Sequence, residues 1–273
     1  MTFLIVMTIL FYILSTAEYL VYLFVQRDRL YKIGYALLAA GFFWHTLLVG
    51  YAFVRSGSIP VHNLHQTLSL AGWTVTGFFL VFHYRYPFKL LGLYAAPLAA
   101  TMMIISARLP MEPDRIQDSL KSIWVAFHVI VIFIGEAALA FACGVGILYL
   151  VQEHAIKTKK RGFFYRRLPS LEFLDNTGYA CIITGFTMVT IGLISGFLYA
   201  KTVWGRFWSW DPKEVWSGIM WLFYAVLLHE RLMVGWRGRR SAIMSIIGFM
   251  VLMFTFLGVN FLLQGHHGEF TQW

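Results

Sequence analysis

Residues 2–26 read TFLIVMTILFYILSTAEYLVYLFVQ, and this stretch settles the class of protein. It contains a single charged residue, Glu18, and is long enough for a helix that crosses about 30 Å of hydrocarbon. Similar apolar runs recur along the chain, which is 59% hydrophobic and 13% charged, with a mean hydropathy of +0.68. Because soluble domains carry about 25% charged residues, the composition predicts an all-α, polytopic membrane protein.

The apolar runs and the charges between them predict eight membrane spans. These spans cover residues 2–26, 33–54, 66–84, 88–107, 122–151, 177–200, 215–233 and 241–263. Of the 22 Lys and Arg residues, 15 lie in the connections on one side, which the positive-inside rule assigns to the cytoplasm. Both termini then face outward. We expect one membrane domain over residues 1–273, with the first span retained as a helix rather than cleaved as a signal peptide.

Three features of the composition exclude other classes of protein. The net charge of +9 reflects orientation in the membrane, so it does not indicate a nucleic-acid partner. Cys143 and Cys181 both lie inside apolar segments, so the sequence predicts neither a disulfide framework nor a cysteine-based metal site. Because CxxCH is absent from the sequence, we do not expect covalently attached haem of the c type.

The stretch WGRFWSWDPKEVW, residues 204–216, differs from the apolar sequence around it. Five of the ten tryptophans lie between Trp204 and Trp221. An aromatic belt at the headgroup layer explains one or two tryptophans at a helix end, but it explains this cluster poorly. The segment 201–216 lies on the outward side in the predicted topology. An outward-facing aromatic shelf suits a flat, apolar ligand such as a porphyrin.

The DPKE sequence inside this stretch also predicts the start of a helix. Asp211 is a favourable N-cap residue, Pro212 suits the first helical position, and Glu214 stands at the third, as in a capping box. This structural role is compatible with a functional one, because capping fixes the backbone and a fixed backbone presents the indole rings rigidly.

The histidines are placed at matching depths in the predicted topology. His45 and His229 lie within spans, where an ionisable residue is costly and is by default a functional candidate. His128, His266 and His267 lie toward the outer face, on the side of the Trp segment. Paired neutral imidazoles provide the two axial ligands of a haem iron, so the pattern predicts two haem stations. The outer residues His62 and His65 are alternatives for the external ligands, and a histidine that only bonds a neighbouring helix remains the alternative for each position.

Three stretches of the sequence resemble the cytochrome c assembly (WWD-domain) superfamily. Residues 204–231, WGRFWSWDPKEVWSGIMWLFYAVLLHER, resemble the WWD signature in its CcsA/ResC (system II) form. Residues 56–73, SGSIPVHNLHQTLSLAGW, are similar to the family segment after the second span. Residues 258–268, GVNFLLQGHHG, are similar to its C-terminal stretch. The Trp segment is the most specific of the three.

The resemblance implies a membrane protein that binds haem b and exports it to the outer face for cytochrome c biogenesis. The external iron ligands would be His128 and His267, with the neighbouring His266 left open as the alternative. The membrane pair would be His45 and His229. The resemblance also implies a platform that faces the haem, formed by Trp204, Trp208, Trp210, Asp211, Glu214 and Trp216.

The resemblance further implies partners and a location. The chain would be the haem-presenting subunit of a cytochrome c synthase (haem lyase), acting with a CcsB/ResB-like membrane partner and apocytochrome c. It would lie in the inner membrane of a bacterium, with the WWD segment facing the periplasm. HemX-type proteins share this length and layout, so a regulator that binds a haem-synthesis enzyme through residues 157–167 is the alternative. An electron-transfer protein fits less well, because His45, His128 and His229 lack a second histidine on the same helix.

Overall fold

The computed structural model describes residues 1–111, 121–159, 162–163 and 165–258. These residues form helices and connections without a strand, which confirms the all-α prediction. The α-helices are α1 (Thr2–Val25), α2 (Asp28–Ser56), α3 (Leu64–Arg85), α4 (Gly92–Ser106), α5 (Ile123–Lys157), α6 (Leu171–Trp204), α7 (Pro212–His229) and α8 (Arg239–Met253). A 3₁₀ turn precedes α4, and π-helical turns extend α7 over Glu230–Val234 and α8 over Phe254–Gly258.

Seven helical segments in the described part of the chain are long and apolar enough to cross a membrane. The predicted third span is the exception. It forms α3, whose 22 residues suffice in length, but its polar residues, including Gln66, Ser69 and Thr74, leave it outside that set of seven. The predicted fifth span, residues 122–151, forms most of α5, which has 35 residues. The orientation of the termini stays a prediction.

The chain divides into two compact units, and the boundary between them lies inside α5, at Phe133 and Ile134. In the first unit, α1 packs against α2 and α4 through large aromatic residues that meet glycines. A Cβ on Gly41 would lie 2.6 Å from the Tyr12 ring, and a Cβ on Gly92 would lie 2.1 Å from the Tyr19 ring. Only glycine permits this close approach. The prediction of a single membrane domain stays a prediction.

The second unit packs the later part of α5 with α6, α7 and α8. A Cβ on Gly135 of α5 would lie 3.0 Å from the Gly185 carbonyl of α6, so the two backbones are in close contact. Likewise, a Cβ on Gly248 of α8 would lie 2.8 Å from the Tyr224 ring of α7. Small residues of this kind let membrane helices approach and gain van der Waals contact.

A buried ion pair fixes one end of this second unit. Arg231, just after α7, donates to both carboxylate oxygens of Asp175 in α6, at 2.9 and 2.7 Å. The backbone N–H of Gly238, which precedes α8, also donates to Asp175 at 2.8 Å. Arg231 and Asp175 side chains are 5% and 13% exposed, and a bidentate pair of this kind has a defined geometry. The other ends of α6 and α7 meet at the Trp-rich connection.

Candidate functional site

Residues 205–211, the Trp connection, join α6 to α7. Gly205 ends α6 in the left-handed conformation, with φ of 72°, and its N–H donates to the Lys201 carbonyl at 3.1 Å. The Lys201 ammonium in turn donates to the Gly205 carbonyl at 3.0 Å. Glycine tolerates this backbone without steric cost, so the chain leaves α6 in a sharp turn.

Asp211 begins α7 as predicted. Its carboxylate, in a residue that is 4% exposed, accepts the Lys213 N–H at 2.9 Å, and Pro212 occupies the first turn. Glu214 differs from the predicted capping box, because it reaches back beyond the N-cap residue to Ser209. Its two oxygens accept the Ser209 N–H at 2.8 Å and the Ser209 Oγ–H at 2.9 Å. Hydrogen bonds to a charged acceptor stabilise by about 1.5–3 kcal/mol each.

Trp210 lies between Ser209 and Asp211, and its backbone has an unfavourable conformation. Its φ is 59°, in the left-handed region, which costs an L-residue roughly 1–2 kcal/mol. The other described non-glycine residues with positive φ are Gln26 and Lys159, both polar residues just after helices. The Trp210 side chain is 78% exposed. A strained, exposed tryptophan held by its neighbours is a candidate functional residue.

Trp208 supports the Trp210 ring. The two rings meet edge to face, with centroids 5.8 Å apart, and Trp208 also meets Phe197 of α6 at 5.6 Å. A Cβ on Gly218 of α7 would lie 3.5 Å from the Trp208 ring, so the indole rests against that helix. Its buried Nε1–H makes no hydrogen bond to any described residue. Buried donors usually have an acceptor, so this N–H is suited to an acceptor on a bound ligand.

The remaining tryptophans of the cluster lie on or pack against helices. Trp204 is the last residue of α6. Trp216 packs against Phe254 at the end of α8, with centroids 4.4 Å apart. Trp221, which was not among the predicted site residues, donates to Thr190 Oγ1 at 2.9 Å and stacks on an α6 phenylalanine. The exposed aromatic residues of the Trp connection are Trp210 and Phe207, and the partly buried Trp208 lies against Trp210.

Cationic side chains flank the Trp connection. The Lys201 ammonium lies 5.3 Å from the centroid of the Phe207 ring, which is 53% exposed. The half-buried Lys213 interacts electrostatically with Asp211 and with Glu136 of α5. Arg206 is exposed. Such groups match the carboxylates of a ligand.

His45 is fully buried in the first unit, and both of its ring nitrogens are hydrogen-bonded. One bond joins Nδ1 to Tyr12 Oη of α1, and the other joins Nε2 to Ser69 Oγ of α3, each at 3.0 Å. In this arrangement His45 connects three helices of the first unit. An iron ligand needs one free ring nitrogen, so binding iron through His45 requires one of these bonds to open.

The other predicted ligands lie in separate parts of the chain. His128 is a partly exposed residue near the start of α5, in the first unit. His229 is exposed and ends α7, in the second unit, directly before the π-helical turn. His266 and His267 lie outside the described residues.

Residues 57–63, the His connection, join α2 to α3 and are buried from Ser58 onward. His62 Nε2 bonds Ser58 Oγ at 2.7 Å, and burial lowers the pKa of His62. Just beyond, the His65 Nδ1–H donates to the Ser106 carbonyl at 2.7 Å. Both histidines, the alternatives for the external ligands, are therefore part of a packed hydrogen-bonded structure.

Comparison with known proteins identifies the family. Residues 35–267 match the model described as cytochrome C assembly protein. The chain belongs to the cytochrome c assembly protein family. It is 31% identical over 264 residues to the cytochrome c biogenesis protein CcsA of Guillardia theta, covering 90% of this chain and 88% of that one. It is 34% identical over 242 residues to CcsA of Synechococcus sp. (strain CC9902), covering 78% of each.

The fold also resembles a solved structure, that of cytochrome c heme lyase CcmF. The TM-score is 0.63 over 98% of this chain, at 16% identity, and the chain spans about half the length of that protein. Membership of the cytochrome c assembly family places the chain in cytochrome c biogenesis, as the WWD signature implied. The comparisons do not favour the alternative, a HemX-type regulator.

In this member of the cytochrome c assembly family, the tryptophan platform implied by the resemblance stays a prediction, and sequence reasoning missed the side chain that fixes the Trp connection. Ser209 was not predicted to have a role, although its hydroxyl and N–H fix the Trp connection through Glu214. The sequence did contain a signal for this contact, because Ser209 stands five residues before Glu214, a carboxylate in the first turn of a predicted helix. The left-handed backbone of Trp210 had no sequence signal, because tryptophan is not a residue that favours it.

Proposed function

We propose that this chain binds haem b and presents it at the outer face of the membrane for cytochrome c biogenesis. The observation that carries the proposal is the exposed Trp210 indole, held over Trp208 by a capped and hydrogen-bonded connection in a protein of the cytochrome c assembly family. An aromatic ring held with one face open is suited to stack on another flat aromatic system.

The chemistry around Trp210 fits haem as a cargo. A porphyrin offers an apolar face to the indoles and two propionates at one edge. The Trp208 Nε1–H, which lacks a partner among the described residues, is a donor for such a carboxylate. Lys201, Arg206 and Lys213 supply positive charge on the same segment and its flanks.

In this proposal the iron is ligated by histidines in two places. At the outer station His128 is one ligand and His267, or its neighbour His266, is the other. In the membrane the pair is His45 and His229. His45 would bind iron through Nε2 after releasing Ser69, while Tyr12 keeps Nδ1 and so fixes the ring, as partners of metal-bound histidines do.

The attachment step is assigned to a complex with a CcsB/ResB-like partner and apocytochrome c. Each cysteine thiol adds across one vinyl group of the haem. A C–S bond forms, the vinyl C=C bond becomes single, and the thiol proton ends on the neighbouring carbon. The role of this chain is to hold and orient the haem during that addition. We infer a bacterial inner membrane as its location, with the Trp connection facing outward.

The proposal is tested by an absorption spectrum of the purified protein, oxidised and reduced, followed by extraction into pyridine. We expect sharp low-spin bands and extractable haem b. His128→Ala should weaken or shift the bands of the outer haem, whereas His154→Ala, an exposed histidine near the end of α5, should leave them unchanged. A protein that stays colourless when expressed with ample haem, alone and with its partner, would contradict the proposal.

A further inference from the structure

The backbone of Trp210 is fixed on both sides. On one side, Ser209 donates through N–H and Oγ–H to the two carboxylate oxygens of Glu214, at 2.8 and 2.9 Å. On the other side, Asp211 is 4% exposed and accepts the Lys213 N–H at 2.9 Å. Because both neighbours are held, Trp210 cannot relax from its left-handed conformation without breaking one of these contacts.

This arrangement orients one side chain outward. A left-handed residue in a turn is usually glycine or asparagine, and either would relieve the strain at this position. The structure has tryptophan instead, at φ of 59° and with 78% of its side chain exposed. The Trp210 ring meets Trp208 edge to face, with centroids 5.8 Å apart, and this contact leaves most of Trp210 exposed.

We propose that Glu214 is a positioning residue whose carboxylate clamps Ser209 and thereby holds the Trp210 indole in place for a planar ligand. Both oxygens of Glu214 already accept hydrogen bonds from Ser209. Glu214 therefore acts through Trp210 rather than by contact with the ligand, which differs from the contact role implied by the family resemblance. That the ligand is haem rests on the proposed function above.

The clamp itself is tested without haem, by ¹⁹F NMR of the full chain labelled with 5-fluorotryptophan in detergent. Trp210→Phe assigns the Trp210 resonance. Glu214→Gln and Ser209→Ala should each shift that resonance and change its response to a soluble paramagnetic quencher. The Trp221 resonance should stay in place, because that indole is bonded to Thr190.

The second measurement is the rate of haem transfer from the loaded protein to apomyoglobin. We expect Glu214→Gln and Ser209→Ala to release haem about tenfold faster or more, with the low-spin spectrum retained because the iron ligands are intact. Glu172→Gln is the matched control, since Glu172 is an exposed carboxylate in the first turn of α6. It should change neither the Trp210 resonance nor the transfer rate.

Each result decides one part of the inference. An unmoved Trp210 resonance in both variants would overturn the clamp. Faster haem release from Glu214→Gln with an unmoved Trp210 resonance would instead make Glu214 a direct contact, which also overturns it. If Glu214→Gln fails to fold, Ser209→Ala decides, because it removes one hydroxyl only. If the resonance moves but wild-type protein binds no haem, the clamp is supported and the haem assignment, with the proposed function, is overturned.

Discussion

The His connection and the Trp connection have the same backbone features at both ends but differ in how far the side chains between them are exposed. Each has seven residues, 57–63 and 205–211, between two helices. Each begins with a left-handed glycine, at φ of 67° and 72°. Each ends in an N-cap side chain, that of Asn63 or Asp211, which accepts a backbone N–H at 2.9 Å. The termini of both connections are therefore fixed equally well.

The side chains between these termini differ. In the His connection residues 58–63 are all buried, and His62 bonds Ser58. In the Trp connection Arg206, Phe207 and Trp210 are exposed. A fixed backbone is thus common to a structural connection and to one suited for binding. The distinguishing feature is whether large aromatic side chains stay exposed after the backbone is fixed.

The largest effect on stability is expected at the buried His65 of α3, just beyond the His connection. His65→Ala removes the bond to the Ser106 carbonyl from a residue that is 2% exposed. We expect a loss of about 2–3 kcal/mol in the free energy of unfolding, measured by SDS titration in mixed micelles. The exposed His154→Ala should stay within about 0.5 kcal/mol of wild type. A loss of that small size for His65→Ala as well would mean that the buried hydrogen bonds next to the His connection contribute little to stability.

Trp210→Ala should weaken haem binding and leave stability nearly unchanged. Because the side chain is 78% exposed, we expect stability within about 0.5 kcal/mol of wild type. Haem affinity should fall about tenfold, equivalent to about 1.4 kcal/mol, as measured by spectroscopic titration. Trp221→Phe, which loses the bond to Thr190, should lower stability and leave the affinity unchanged. Equal affinities for wild type and Trp210→Ala would mean that the exposed indole has no part in binding.

Alanine substitutions of the two N-cap residues, Asn63 and Asp211, should have smaller effects. Asn63→Ala and Asp211→Ala should each cost about 1 kcal/mol of stability through the lost capping hydrogen bond. Asn63→Ala should cost somewhat more, because it also removes the bond from Asn63 Nδ2 to the Pro110 carbonyl. Only Asp211→Ala should also speed haem release, because only that cap adjoins the exposed Trp210. If both variants change haem release equally, the effect of the cap is on overall stability rather than on the Trp connection.

The smallest effect is the pH dependence of the His connection. Burial lowers the pKa of His62, so this residue contributes stability that is fully present above its unfolded pKa of about 6.5 and is lost as the pH falls below it. The contribution to the slope is at most about 1.4 kcal/mol per pH unit. His62→Gln should therefore flatten the dependence of stability on pH between about 6.5 and 5.5. An unchanged slope would contradict the burial of this imidazole.

The sequence was sufficient for the class of fold and for the position of the Trp connection. Long apolar runs predict membrane helices because hydrocarbon leaves the backbone no other way to satisfy its hydrogen bonds, and Asp211 with Pro212 marks a helix start. The sequence was insufficient where long-range contacts decide. His45 resembles a free intramembrane ligand in the sequence, but in the fold it bonds Tyr12 and Ser69, which lie on two other helices. The left-handed backbone of Trp210 was also unpredictable, because tryptophan is not a residue that favours that conformation.

The central claim is that the Trp connection holds the haem, and a density map of the haem-loaded protein tests it most directly. The account predicts a porphyrin in van der Waals contact, at about 3.5–4 Å, with the Trp210 indole, and the Glu214 carboxylate still bonded to Ser209. A porphyrin bound elsewhere, with the Trp210 ring still exposed to solvent, would contradict it.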